Sequence, residues 1–310
     1  MDGPFCLVVN PAAGHGRALR VLQTVTARLD AVSARYEIAR SASLDHARDL
    51  AATAAAQGQV VVAVGGDGMA GALAAVAARE GARFGVIPAG NGNDLARGLG
   101  IPFQSAAAAE VLTSGRERKV DLIAVQRETQ PETVVAGSVY LGIPSVAGEI
   151  ANSTRWLRGP AVYPVAGLRA LARWVPAGFR VEICGHGQQP EVREFPGYAV
   201  VVANASYFGA GMKVAPHAQP DDGLLEVLTM RDARKLAFLR VLMKIRNGSH
   251  LSLPQIGQDR AAEVTITVDR DLPAAADGET LPCAAPLRAG TPLRLRALPG
   301  ALQVAVPASA

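Results

Sequence analysis

Apolar and polar positions alternate between two periods over the first third of the chain. Phe5–Asn10 (FCLVVN) is a short apolar run closed by Pro11, the pattern of a strand buried on both faces. RALRVLQTVTARLDA, which starts at Arg17, instead places apolar residues at helical spacing. The exchange repeats with YEIARS followed by LDHARDLAATAAAQ, a helix that Gly58 ends, and with QVVVAVGGDG followed by the alanine-rich MAGALAAVAARE. RFGVIPAG then leads into the turn GNGNDLARGLGIP. Strands and helices in this rhythm predict a parallel sheet with helices on both faces.

Beyond about Val120 the period changes. VDLIAVQ, TVVAGSVYLGI, FRVEIC, GYAVVVANAS, GLLEVLTM, AEVTITVD, TPLRLRALP and LQVAVP read as strands joined by short turns. Helical patterns interrupt them only at about 157–174 and at 232–247, the second with Asp232 as N-cap and Gly248 as stop. Consecutive strands with few helices predict an antiparallel sandwich. The fold class is α/β with two domains, a parallel α/β domain over residues 1–122 and a β-sandwich domain over 123–291.

Composition changes little in this picture. The 310 residues are 49% hydrophobic and 19% charged, enough for two cores. The formal net charge of +4 is not gathered into a binding stripe, so no nucleic-acid partner is expected. One asymmetry stands out: between Glu149 and Glu182 lie Arg155, Arg158, Arg169, Arg173 and Arg180 and no acid. A solvated basic face explains this, and so does peripheral contact with an anionic membrane, where each nearby cation adds about 1 kcal/mol. Cys6, Cys184 and Cys283 show no metal-ligand spacing, which suits a reduced compartment. No signal-peptide pattern or membrane-spanning apolar run is present, so the expected location is the cytoplasm, with peripheral contact at the inner membrane face left open.

The candidate chemistry sits in the glycine turns. A strand that ends in Gly65-Gly66-Asp67-Gly68 and enters a helix offers backbone N–H groups with no side chains in the way, a cradle for phosphate. A tight turn needing positive φ would use the same residues. Asp67 favours the ligand, because an acid among phosphate-facing amides calls for a cation. The GNGND turn forms a second strand–turn–helix unit with Asp94 near the helix start. Two acids at the carboxyl ends of neighbouring strands converge on the crevice where α/β sheets bind ligands. The Gly14-x-Gly16 string lacks the third glycine of a dinucleotide fingerprint, and no GxxxxGK[ST] occurs, which excludes a P-loop NTPase.

VGGDG followed by PAGNGNDLAR resembles the catalytic domain of the diacylglycerol kinase and sphingosine kinase superfamily, the bacterial soluble lipid kinases in particular. The resemblance runs on through VNPAAGHGRA, RGPAVYPVAGLRAL, ANASYFGAGMKVAPHAQPDDGLLEV, ADGETL and LPGALQVAVP. It implies an active site in the cleft between the domains and a final stretch, about 292–310, that returns to the first domain. It also implies that ATP phosphates sit on Gly65, Gly66, Asp67 and Gly68. Further nucleotide contacts come from Asn10, Ser41, Gly90, Asn91 and Asn93. Glu279 matches the general base, with Asp277 beside it, while Asp67 and Asp94 hold Mg²⁺ against the γ-phosphate. A structural magnesium is implied at the Asp222 side chain and the backbone oxygens near Gln219 and Leu224.

The chain departs from the family pattern at Met69, where Thr or Ser is usual, at Gly71-Ala72 in place of Asn-Glu, and at Asn91 in place of Thr. YLGIPSVAGEI also lacks an asparagine of the matching strand. The reading is an ATP-dependent kinase that phosphorylates a hydroxyl of a lipid such as diacylglycerol or of a lipid-like alcohol. Three alternatives stay open: a kinase of a non-lipid small-molecule alcohol, an NAD kinase-like enzyme, and a catalytically silent nucleotide-binding protein. PDDGLLEV and DGE argue against the NAD kinase, and a homodimer is neither implied nor excluded.

Overall fold

The structure, a computed structural model, describes residues 3–11, 16–128, 130–153, 162–187, 189–281 and 286–308. The chain divides into one unit of residues 1–122 with 299–310 and a second of residues 123–298.

In the first unit the short apolar runs become strands. β1 (Phe5–Val9) and β3 (Val60–Gly65) are buried along their whole length, between β2 (Tyr36–Arg40) on one side and β4 (Arg83–Pro88) on the other. All pair in parallel in the order β2-β1-β3-β4, and the end of the chain's last strand adds to β4 through Gln303 and Val304. Helix α1 (Arg17–Ala31) buries Ala18, Val21, Leu22, Val25 and Leu29, a stripe at helical spacing. α2 (Leu44–Ala56) is capped by the Ser43 side chain, which accepts the His46 N–H. α3 (Asp67–Arg79) and the short α4 (Asp94–Gly98) follow the two glycine turns. α5 (Ser105–Ser114), which the sequence reading left without an element, lies so close to β4 that a Cβ on Gly85 would sit 2.4 Å from Leu112. The chain then enters β5 (Arg116–Arg127), where buried Asp121 accepts the Gly300 N–H at 2.7 Å and ties down the returning strand.

The second unit is antiparallel throughout. It contains β6 (Thr133–Val135), β7 (Ser138–Gly142), α6 (Ile143–Ser153), α7 (Val162–Arg173), β8 (Ala177–Cys184) and β9 (Glu191–Ala203). β10 (Leu225–Arg231), α8 (Lys235–Lys244), β11 (Ile256–Ala261) and β12 (Glu263–Val268) come next. β13 (Ala274–Ala276), β14 (Glu279–Thr280) and β15 (Leu293–Val306) complete it. The long β9 organises this unit. Its first half pairs with β8, which continues to β12 and β15, while its second half lies between β7 and β10. Val139, Leu141, Val200, Val202 and Val227 therefore share a core with Phe179, Val181, Ile266 and Leu295. Tyr140, Val201 and Leu228 face the other way and pack with Val214 and Ala215. Burial on both faces is why these strands read as continuous apolar runs; each such fully buried side chain contributes about 1.5–3 kcal/mol.

Several local expectations change. TVVAGSVYLGI breaks into β6 and β7 at Ala136-Gly137, and IPSVAGEI belongs to helix α6. β11 went unread because its alternating polar residues suit an edge strand, not a buried one. α8 starts later than its pattern suggested: Arg234 is the N-cap, and Asp232 plays no capping part. TPLRLRALP and LQVAVP form the single strand β15. Of the helix expected over 157–174, residues before 162 lie outside the described residues.

Candidate active site

The two glycine turns of the first unit touch each other. Ala89 N–H donates to the Gly65 carbonyl at 2.8 Å, which draws the turn after β4 against the turn after β3. A Cβ on Gly90 would lie 2.4 Å from the Gly66 Cα, and one on Gly66 would lie 3.2 Å from the Gly90 Cα. Backbone meets backbone, so no neighbouring side chain can swing aside to make room. Close approach is thus the reason for glycine at both positions, in addition to any ligand they hold.

Asn93 secures the second turn. It adopts the left-handed conformation at φ 55°, tolerable for asparagine. Its Oδ1 accepts the Gly90 N–H at 2.9 Å, and its Nδ2 donates to the Gly90 carbonyl at 3.0 Å. That carbonyl also receives a guanidinium N–H of Arg17 at 3.3 Å.

Asp67 joins the turns from the other side. Its Oδ1 accepts the backbone N–H of Asp94 and, at 3.3 Å, that of Leu95, the first residues of α4. Burial pushes the Asp67 carboxyl above the usual carboxylate range, and the N–H donors of Leu95, Asp94 and Asn93 work against that rise. Asp67 therefore has a structural duty, holding the head of α4, in addition to any cation it meets.

The remaining nucleotide candidates lie at the same edge of the sheet. Ser41 follows β2 and is buried; its N–H and its hydroxyl both donate to the Val9 carbonyl, at 2.9 and 3.3 Å. Asn10 follows β1 and is half-buried, Gly68 lies in the first turn of α3, and Asn91 is exposed. The carboxyl ends of β1 to β4 so gather Asn10, Ser41, Gly65 to Gly68 and Gly90 to Asp94, at the edge where parallel sheets take ligands. The first N–H groups of the thirteen-residue α3 have no acceptor within their helix and carry its positive pole. Such an edge can hold phosphate oxygens. The Met69 side chain is buried and packs against Gly65, where its Sδ would lie 2.8 Å from a Cβ.

In the second unit, Asp277 closes a different knot. It is left-handed at φ 47°, and its carboxylate accepts the N–H groups of Ala136, Gly137 and Ser138 at 3.0, 3.0 and 2.8 Å. Asn204, 2% exposed, serves the other side of that segment, donating its backbone N–H to the Gly137 carbonyl and its side-chain amide to that of Ala136. The phenol of Tyr140 accepts the Gly278 N–H at 3.1 Å. The β13–β14 hairpin that carries Glu279 is pinned this way, and Asp277 is a positioning group there, since three amide donors occupy its carboxylate. Sequence reading missed Asn204, Gly137, Tyr140 and Arg17. The only signal was the break that Ala136-Gly137 makes in an apolar run.

In the third candidate cluster, Asp222 Oδ1 accepts the Leu224 N–H at 2.9 Å, while Oδ2 pairs with the Arg260 guanidinium. Gln219 is exposed beside this loop.

Comparison with known proteins gives this geometry its family. Residues 4–125 match the model of the diacylglycerol kinase catalytic domain, and residues 137–306 match that of the YegS C-terminal NAD kinase beta sandwich-like domain. A diacylglycerol kinase of Mycobacterium tuberculosis is 30% identical over 98% of this chain and 96% of its own length. A diacylglycerol kinase of Bacillus subtilis is 26% identical over 88% of each chain. A solved structure of a putative diacylglycerol kinase from Bacillus anthracis superposes with a TM-score of 0.79 at 21% identity, covering 99% of this chain and 98% of that one. A second such structure gives a TM-score of 0.76 at 22% identity over 99% and 98%. The chain belongs to the diacylglycerol kinase family, with its catalytic domain followed by the sandwich-like domain, and is an ATP-dependent kinase.

Proposed function

We propose that the enzyme transfers the γ-phosphate of ATP to a hydroxyl of a lipid, with diacylglycerol as the leading acceptor. The observation that carries this is the pair of touching turns at the head of α3, in a chain related over nearly its full length to a diacylglycerol kinase. The N–H groups of the first turn of α3 hold the β- and γ-phosphates, and the glycines keep side chains off them. Asn10, Ser41 and Asn91 complete the nucleotide contacts. Magnesium fits beside Asp67 and Asp94, where a partly desolvated carboxylate next to phosphate is unfavourable alone; bound there, it would neutralise charge on the transferring group. Glu279 takes the proton of the acceptor hydroxyl as the new O–P bond forms. Asp277 holds the hairpin that carries Glu279.

A lipid acceptor calls for a membrane-facing surface, and α8 with α7 provides one. Arg180 is the weaker anchor, because Glu182 and Glu194 pair with it, at 2.9 and 2.7 Å. Arg155 and Arg158 lie outside the described residues. Arg169 and Arg173 are exposed on α7. On α8, Phe238 and Val241 point inward while Leu236 (76% exposed), Leu239 and Met243 (70%) line the outer face at i, i+3 and i+7. Arg234, Lys235, Arg240 and Arg246 flank this stripe, and no acid occurs from Ala233 to Gln258. Lys235 Nζ donates to the Ala172 carbonyl at 2.8 Å, which joins the two helices into one face that also exposes Leu168 and Val175. Apolar residues for the acyl boundary with cations for headgroup phosphates suit an anionic bilayer.

Labelled ATP should pass its γ-phosphate to diacylglycerol in vesicles and not to NAD. Glu279→Gln should slow single turnover by roughly 10²–10⁴-fold with ATP affinity unchanged. Label on a water-soluble alcohol alone would refute the lipid reading, and full turnover by the variant would refute the base.

Asp67→Asn separates the two duties of that side chain. Asparagine keeps an oxygen for the Asp94 and Leu95 N–H groups, so the melting temperature should hold within a few degrees. The gain in ATP affinity that magnesium brings should vanish with the charge. An Asp67→Asn protein that still gains affinity from magnesium as the parent does would show that Asp67 serves only to hold α4.

Sedimentation with vesicles tests the surface. Binding should require anionic lipid and weaken with salt, and Arg240→Gln should reduce it about fivefold, the equivalent of about 1 kcal/mol per cation. Leu236→Ser with Met243→Ser should abolish what remains. Equal binding to neutral vesicles, or no effect of either change, would locate the membrane contact elsewhere.

A further inference from the structure

We propose that Arg260 occupies the place of the structural divalent cation implied for the Asp222 loop, so that the second unit of this protein folds without a metal there. The inference concerns folding and is independent of the acceptor reading. Gly223, left-handed at φ 74°, turns the loop so that Asp222 faces back toward β10 and β11. Both carboxylate oxygens are then engaged: Oδ1 by the Leu224 N–H at 2.9 Å and Oδ2 by Arg260. The β10–β11 register sets Arg260 directly opposite Glu226. Glu226 is 2% exposed, and its Oε2 accepts the Gln258 amide at 2.9 Å. Its Oε1 lies 3.1 Å from Arg260 Nε. The guanidinium N–H is not aimed at that oxygen, so this approach is Coulombic and not a hydrogen bond.

Two carboxylates thus converge on one guanidinium, one of them almost fully buried. A buried carboxylate needs a counter-charge, and the planar, always protonated Arg side chain can serve two at once. A divalent ion at Asp222 would have to take Oδ2 from Arg260 and would leave +2 beside +1. With Oδ1 held by the Leu224 N–H and Oδ2 by Arg260, the one carboxylate the implied site would use is already satisfied. Arginine on an edge strand gives the loop a cation that dilution and chelators cannot remove.

The test is thermal melting of the nucleotide-free protein in EDTA and in millimolar magnesium or calcium. A metal that binds only the folded state raises the midpoint, so the parent should melt at the same temperature in all three. Arg260→Gln should melt lower in EDTA, by roughly 2–4 °C or more, and should recover with magnesium or calcium as the freed carboxylates accept the ion. Arg260→Lys, which keeps one positive charge, should stay insensitive to metal and remains informative if the glutamine variant does not fold. A parent protein that EDTA destabilises and magnesium restores would overturn the proposal. An Arg260→Gln protein as indifferent to metal as the parent would overturn it too. The readout is stability, so loss of kinase activity in EDTA, expected for magnesium-bound ATP, does not bear on it.

Discussion

The contact between Gly66 and Gly90 is the constraint on which the proposed phosphate surface depends. Two strand–turn–helix units of a parallel sheet would present two separate loops. With no Cβ at either position, the backbones close to touching distance and the loops become one surface. Asp67 then binds the N-terminus of α4 to the N-terminus of α3, and Asn93 folds the second turn back on Gly90. The groups that keep this surface in place are backbone amides, short polar side chains and glycines, with the Arg17 guanidinium on the Gly90 carbonyl. A surface of that kind is preorganised for phosphate and needs little reordering when charge develops on it.

A second regularity recurs in both units. Asp67, Asp121, Asp222 and Asp277 each accept backbone N–H groups of a segment distant or turned in sequence: the head of α4, Gly300, Leu224, and residues 136–138. Carboxylates do well at this, because an ionised acceptor makes stronger hydrogen bonds than a neutral one and each such bond to a charged group contributes about 1.5–3 kcal/mol. The cost is that an acid in a promising motif can be fully engaged in holding the chain. Asp277 illustrates this: the DGE motif invites a catalytic reading for both acids, whereas the amide donors around Asp277 leave the proposed proton transfer to Glu279.

Much of the fold was legible because burial leaves a period. β1, β3 and β4 are apolar from end to end, and α1 carries its buried stripe at helical spacing, so the alternation of strand and helix could be read directly. The glycine turns were legible as well, although the sequence suggested only a ligand and not the 2.4 Å approach that also demands glycine. What stayed hidden depends on partners far along the chain. The break at Ala136-Gly137 exists because Asp277 and Asn204 claim those backbone groups, from 141 and 68 positions beyond Ala136. β11 is polar because it is an edge, and Arg260 gains its meaning only when the β10–β11 register sets it opposite Glu226. Asp222 shows the same limit: its motif gives no sign of the Arg260 guanidinium, 38 positions away, with which it pairs.

The most direct test of the account is ATP binding by Gly90→Ala. The added methyl would overlap the Gly66 Cα, so the two turns must part while the sheet, whose strands end before them, stays folded. The account predicts that magnesium-ATP affinity falls by at least about tenfold while the far-ultraviolet circular dichroism spectrum is unchanged. A Gly90→Ala protein that binds ATP as tightly as the parent would contradict it, because the phosphate surface would then not depend on the contact between the turns.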